Sequence, residues 1–413
     1  MRIHPFFSIV YIVLVLISGC HKVGGGKEMS YFSVASADAA LQNATRQYQH
    51  LMQALPDSTF PRTFEDGKLV TSNAEWWCSG FYPGTLWYLY EYTNEPKLKE
   101  EAIRSTALIE PIQHLNNTHD LGFMLFCSFG NGYRITQDAH YKEVLITGAQ
   151  TLASRYSPKV KAIRSWDWTG PREVKWQYPV IIDNMMNLEL LMWTSDQQPD
   201  QQLAEIAVSH ANTTLVHHFR DDFSTFHVID YDSVSGKVLH KHTNQGYADA
   251  SAWARGQAWA LYGYTMMYRE THNDAFLQQA RKVADFLLTH PNMPEDMIPY
   301  WDFDTPDIPN APRDASAAAV MASALLELSQ QIEEADSGRY YLAATKMLAS
   351  LSSEKYQGSV EKNGGFILQH SVGAYPKGSE VDVPLSYADY YYVEALLRFM
   401  QIEGAFQFKS AVQ

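Results

Sequence analysis

The sequence predicts an all-α protein, an (α/α)6 barrel in which an inner ring of six helices is wrapped by an outer ring of six. Segments amphipathic at helical spacing alternate six times with segments apolar on nearly every face, at an irregular period of roughly 60 residues. A helix apolar all round must be buried all round, whereas an amphipathic one covers a core on one side and meets water on the other. A closed toroid satisfies both, while an open solenoid is expected to have shorter, more regular repeats. Strand signals are sparse, Phe226 to Tyr231 being the best, which argues against an α/β fold.

In chain order, the stripe Leu41, Ala44, Tyr48, Leu51, Met52, Leu55 predicts the first outer helix, and SGFYPGTLWYLYEYT from Ser79 the first inner one. A stripe beginning near Leu98 precedes LGFMLFCSFGNGYRIT from Leu121, and one near Tyr141 precedes IIDNMMNLELLMWTS from Ile181. A stripe near Leu203 leads to WARGQAWALYGYTMMYRET from Trp253. Phe276, Ala280, Val283, Ala284 and Leu287 mark the fifth outer helix, ahead of RDASAAAVMASALLELS from Arg313. The sixth pair is a stripe near Tyr340 and YADYYYVEALLRFM from Tyr387. No Pro/Ser-rich linker interrupts residues 40–405, so residues 37–405 read as one domain and 406–413 as a tail.

Of the 413 residues, 46% are hydrophobic, 13% aromatic and 19% charged, which excludes a disordered chain. Three cysteines cannot build a disulfide framework. Cys78 and Cys127 sit in apolar surroundings and read as buried thiols rather than as one disulfide. A net charge of -14, from 32 basic and 46 acidic side chains, argues against a nucleic-acid partner or a groove for a long polyanion. An acidic ligand is then short and held by a few local cations. Twenty-five Tyr and ten Trp suit the flat faces of sugars, and also simply fill cores.

Residues 1–20, MRIHPFFSIVYIVLVLISGC, combine an early Arg, an apolar run too short to span a bilayer comfortably, and small residues before Cys20. The end Leu16-Ile17-Ser18-Gly19-Cys20 looks like a bacterial lipobox, in which Cys20 is lipidated and becomes the new N-terminus. An ordinary cleaved signal or an uncleaved anchor is the competing reading. Residues 21–36, with three consecutive glycines, read as a flexible tether. The expectation is a protein of the cell envelope, facing the periplasm and touching the membrane only through its lipid.

If the inner helices run the same way, their polar starts gather on one rim. There the partial positive charge of helix N-termini suits an anionic ligand. Asp120, Asp183, Arg255, Arg313 and Asp389 all occupy such starts. Asp183, in YPVIIDNMMN, is the most pointed: a carboxylate in an apolar run has either a partner or a raised pKa, and a general acid must be protonated near neutrality. Helix capping is the competing role for both Asp120 and Asp183. In HTNQGYADASAWARGQAW, Arg255 and Trp259 lie four apart and share a helix face. They offer a fork for a carboxylate and a plate for a sugar ring, or else an Arg stacked on Trp in the core. His119 and His242 have no HxxxH or CxxC context, so hydrogen bonding outweighs metal ligation, and neither a metal nor a cofactor is expected. No phosphate-binding glycine loop and no Ser-His-Asp order in a fitting context is present.

The runs WWCSGFYPGTLW, HDLGF, YPVIIDNMMNLELL, HTNQGYADASAWARGQAW and GSEVDVPLSYADYYYVEALLR resemble the unsaturated glucuronyl hydrolases, glycoside hydrolase family 88. They are spread in order from about residue 73 to 400. The resemblance implies hydration of a 4,5-unsaturated uronic acid at the non-reducing end of oligosaccharides made by polysaccharide lyases, glycosaminoglycan fragments in particular. It makes Asp183 the residue that protonates C4 and then, as carboxylate, assists water adding at C5. Asp120 would bind sugar hydroxyls and help keep Asp183 protonated. By motif position Trp77, His119, Gln245, Arg255 and Trp259 would shape the subsite, with Thr243 and Ser371 as further contacts. The Gly373–Lys377 stretch departs from the family pattern, which leaves the next sugar and sulfate tolerance open. The rivals are an unsaturated rhamnogalacturonyl hydrolase acting on pectin fragments, a noncatalytic glycan-binding lipoprotein, and an isomerase on the same barrel.

Overall fold

The computed structural model describes residues 31–167, 175–198, 201–332 and 335–409. Cys20 and most of the expected tether lie outside them. The helix α1 (Val34–Ala54) already starts at Val34, where the Ser33 side chain accepts the Ser36 N–H, so the last three residues of the expected tether belong to the domain. Leu41, Ala44, Tyr48 and Leu51 are buried, as the stripe predicts.

The helices come in outer–inner pairs. After α1 comes α2 (Phe81–Thr93), and after α3 (Pro96–Ala107) comes a π-helix (Gly122–Gly130) that runs on into α4 (Asn131–Thr136). Next, α5 (Ala139–Ala153) precedes a 3-10 turn (Ile182–Asn187) continued by α6 (Leu188–Gln197), and α7 (Gln201–His217) precedes α8 (Ala254–Thr271). The fifth pair is α9 (Asp274–Thr289) with α10 (Ala315–Gln330). The sixth is α11 (Ala335–Leu351) and, after the short α12 (Val360–Asn363), α13 (Ser386–Ile402).

Contacts close the inner ring: α2 on the π-helix, the π-helix on the 3-10 turn, that turn on α8, α8 on α10, α10 on α13, and α13 back on α2. This is the (α/α)6 barrel. The near-total burial of α10 explains its composition. Alanine is the best helix former and its small side chains let three neighbouring helices approach. Close approach also fixes Gly122, where a Cβ would lie 2.5 Å from Asn187 Cα. Asn187 Oδ1 accepts the Phe123 N–H at 2.8 Å, joining the π-helix to the 3-10 turn.

Strands appear where the inner helices begin. The hairpin β1 (Phe60–Glu65) and β2 (Lys68–Ser72) precedes α2, and the two-residue pair β3 (Tyr156–Ser157) and β4 (Ala162–Ile163) follows α5. A three-stranded sheet of β5 (Pro179–Ile181), β6 (Val228–Tyr231) and β7 (Val238–His242) contains the one strand the sequence singled out. The hairpin β8 (Ser371–Ala374) and β9 (Ser379–Val383) precedes α13. Among the described cysteines, Cys78 and Cys127 are free and buried, as expected.

Candidate active site

The N-terminal ends of the inner helices gather at one mouth of the barrel around a cavity of about 450 Å³. Trp77 reaches it from just ahead of α2, and His119 and Asp120 from just ahead of the π-helix. Asp183 comes from the 3-10 turn, Arg255 from α8 and Tyr387 from α13, with Gln245 and Asn244 from the loop before α8. A larger cavity of about 880 Å³ lies at the other mouth, but Arg269 and Arg398 there are paired with Glu189, Glu327 and Glu394. The smaller cavity keeps a buried carboxyl oxygen without a hydrogen bond, so the chemistry is placed there.

That oxygen is Asp183 Oδ2; the residue is 8% exposed. Burial pushes the Asp183 pKa up to about 7, and the Asp120 charge adds to the rise; Arg255, its own backbone N–H and the Trp259 indole oppose it. The N-cap position of this turn is Ile181, which has no capping side chain, and Asp183 Oδ2 accepts no backbone N–H.

His227, which the sequence reading passed over, lies with Nε2 3.7 Å from Asp183 Oδ2. Its Nδ1 accepts the Asn244 and Gln245 backbone N–H groups at 3.1 and 3.2 Å. The network therefore assigns the ring proton to Nε2. Burial and the Arg255 charge hold the His227 pKa well below the ordinary value, so the ring is neutral and makes no ion pair. The signal was available: His227 is the second residue of the best strand signal, Phe226 to Tyr231, just ahead of Val228 and Ile229.

Asp120 accepts from Thr118 Oγ1 at 2.5 Å, and its Oδ1 lies 3.2 Å from His119 Nε2. Burial lowers the His119 pKa against the pull of Asp120, and His119 Nδ1 has no hydrogen-bond partner. Trp77 packs 4.9 Å from the Tyr387 ring and lines the cavity. Asn244 Oδ1, also passed over, is buried without a partner beside it.

Several expectations are corrected by the geometry. The Arg255 fork is not open: its terminal nitrogens donate to Asp314 Oδ2 at 3.0 Å, to the Val372 carbonyl, and to the Gly373 carbonyl at 2.5 Å. Its guanidinium stacks 4.5 Å over Trp253, not over Trp259. Trp259 is fully buried between Phe123 and Tyr391, its indole N–H without a hydrogen-bond partner, and is not a plate for a sugar. Thr243 accepts the Gly246 N–H at 2.7 Å and shapes the turn without lining the cavity. Ser371 begins β8 and is fully buried behind the wall. His242 pairs with Asp249 outside the cavity. Gln245 does line it, donating from Nε2 to the Gly373 carbonyl at 3.0 Å.

Of the five rim residues, Arg313 turns away to Asp296 and the Ile298 carbonyl. Asp389 is sealed in the wall, accepting the Ile367 and Leu368 N–H groups at 3.0 and 2.9 Å. The residue beside Arg313 matters instead: Asp314 caps α10 and pairs with Arg255.

Residues 51–406 match Glycosyl Hydrolase Family 88. The chain is 47% identical over 368 residues to an unsaturated glucuronyl hydrolase of Formosa agariphila, covering 86% of this chain and 90% of that protein. It is 35% identical to an unsaturated chondroitin disaccharide hydrolase of Streptococcus agalactiae, covering 82% and 85%. Among solved structures, an unsaturated glucuronyl hydrolase specific for heparin superimposes with a TM-score of 0.87 at 45% identity, over 91% of this chain and all of that one. A mutant unsaturated glucuronyl hydrolase from Streptococcus agalactiae, complexed with dGlcA-GalNAc6S, gives 0.75 at 28% identity, over 90% and 93%.

Proposed function

The chain belongs to Glycosyl Hydrolase Family 88, and on that premise we propose that it removes the 4,5-unsaturated uronic acid from lyase-generated glycosaminoglycan fragments, with Asp183 as its acid. The observation that supports this assignment is a buried, unpartnered Asp183 oxygen facing a cavity lined also by Asp120, with a pKa of about 7.

The sequence of steps follows from that protonation state. Asp183 gives its proton to C4 of the enol ether, which becomes a methylene, and positive charge develops at C5 and the ring oxygen. The resulting carboxylate draws a proton from water as the water oxygen bonds to C5, which restores the acid. The C5 hemiketal opens by breaking its bond to the ring oxygen, leaving a ketone at C5. The hemiacetal left at C1 then releases the shortened oligosaccharide. His227 Nε2–H faces Asp183 at the stage when it is an anion, and Trp77 offers an apolar wall. No step attacks the anomeric carbon, so carboxyl separation does not set a stereochemical course here.

A net charge of -14 fits a short substrate better than a polymer. The N-terminal sequence further supports a lipid on Cys20 and a periplasmic face. Cys20→Ala should abolish incorporation of labelled fatty acid into the protein, and a wild-type protein that takes up no label would exclude the lipid.

The test is loss of ultraviolet absorbance by unsaturated chondroitin, hyaluronan and heparin disaccharides. An absorbance that persists on all three, or is lost only on pectin-derived disaccharides, excludes the proposed substrate class.

A further inference from the structure

Arg255 is 1% exposed and Asp314 fully buried, and they pair at 3.0 Å in the wall of the candidate site. A buried guanidinium needs a partner, since an uncompensated charge in the interior is strongly unfavourable. The other contacts of Arg255 are neutral: the Val372 and Gly373 carbonyls and the faces of Trp253 and Tyr387. Asp314 is anchored independently, its Oδ1 accepting from Ser316 N at 3.0 Å and Ser316 Oγ at 2.5 Å. The pair thus ties α8, the start of α10 and the β8–β9 hairpin together beside Asp183.

We propose that Asp314 is a positioning residue for the reaction: it holds Arg255 against the β8 carbonyls and balances the guanidinium charge beside Asp183. This rests on Asp183 being the acid. Without Asp314, Arg255 would carry an unbalanced positive charge, which favours the Asp183 carboxylate and removes the proton that C4 must receive.

The groups around Asp183 come from several elements. Arg255 on α8 opposes its protonation, while Asp120 ahead of the π-helix favours it. His227 ahead of β6 faces it as a neutral ring, itself under the influence of Lys377 on the hairpin and of His119. Tyr387 on α13 faces Arg255 and is influenced by Glu380 from β9 and by Asp314. Of these, Asp314 is the carboxylate paired directly with Arg255.

The experiment compares pH–rate profiles of wild type, Asp314→Asn, Asp314→Glu and Asp183→Asn on one unsaturated disaccharide, with melting curves for each. Asp314→Asn keeps an oxygen for the α10 cap and removes the charge. Its alkaline limb is expected to move about one pH unit or more toward acid, with activity recovering below the new limb. Asp314→Glu restores the charge, so its limb stays at the wild-type pH while KM rises because the hairpin is displaced. A uniform loss of Asp314→Asn activity at every pH with an unmoved limb overturns the inference and leaves only a structural role. If Asp314→Asn does not fold, an acid-shifted limb in Asp314→Glu overturns it equally. Asp183→Asn separates the two readings: activity retained there removes Asp183 as the acid, whereas an inactive Asp183→Asn with an unmoved Asp314→Asn limb removes only the role of Asp314.

Discussion

His227 holds Nε2 3.7 Å from Asp183 Oδ2 while its Nδ1 is occupied by two backbone N–H groups. The relationship is asymmetric in a useful way. A neutral donor stabilises an Asp183 anion formed during turnover, yet carries no charge that would strip the proton beforehand. Asp183 can therefore begin protonated because burial outweighs the opposing charge of Arg255, a guanidinium that is itself paired with Asp314.

Asp183→Asn is expected to reduce turnover by about 10³-fold or more, as loss of the proton donor and of the base for water removes both halves of the reaction. The amide nearly matches the carboxylic acid in shape, so the melting temperature should not fall. Hydration followed by absorbance at near wild-type rate in this variant would remove Asp183 from the mechanism.

The pH dependence of stability has a definite sign. Asp183 and Asp389 have folded-state pKa values raised to about 7 and about 8, mainly by burial. Between the unfolded carboxylate range and these values the folded state retains protons that the unfolded chain releases. Their contribution is complete below the unfolded pKa and declines as pH rises through the folded pKa. Buried His119, His210, His218 and His227, whose pKa values are lowered, oppose this up to about pH 7, so the carboxyl effect is read above it: melting should fall by about 1 °C from pH 7.5 to pH 8.5. Asp183→Asn should narrow that gap. A melting temperature that is flat or rises over this window contradicts the raised values.

The barrel was legible in the sequence because burial on every face leaves a continuous apolar record over whole helices. The six segments from Ser79 to Tyr387 locate the inner ring to within a few residues. The mouth was legible only in part. The β1–β2 and β8–β9 hairpins have strands no shorter than β6, but Pro61, Gly373 and Asp382 within them are residue types that strands disfavour. Without β8, the nearest role for the Arg255 fork was an external carboxylate, whereas the carbonyls of Val372 and Gly373 take it. Trp259, four residues on, shares a helix face with Arg255, but that spacing does not say how deep the ring lies, and Phe123 and Tyr391 close over it. At Arg313-Asp314 the rim position went to the cation, although Asp followed by Ala-Ser-Ala is the pattern of an N-cap.

Trp77 is held by Tyr387, Phe81 and Phe123 at 4.9 to 5.8 Å, so its orientation survives without ligand. A preset ring wall contributes to substrate and transition state alike, and its removal appears in KM more than in kcat. Trp77→Ala should raise KM about tenfold, with kcat within a few-fold of wild type. Trp77→Phe should recover most of the loss. A fall confined to kcat would mean that Trp77 acts on Asp183 and not on the sugar.

His227→Ala tests whether the imidazole matters through its Nε2 proton or only as an acceptor for the loop before α8. The substitution leaves the Asn244 and Gln245 N–H groups without their acceptor, a loss of about 1–3 kcal/mol each if they stay buried. It should therefore lower the melting temperature as well as activity. His227→Asn can supply an oxygen to those groups, and should recover stability if that role dominates the fold. Turnover should stay depressed in His227→Asn if the Nε2–H facing Asp183 is needed, because the shorter side chain cannot serve both directions. Full recovery of kcat along with stability would show that His227 only shapes the loop, and would leave the Asp183 anion to be stabilised by other groups.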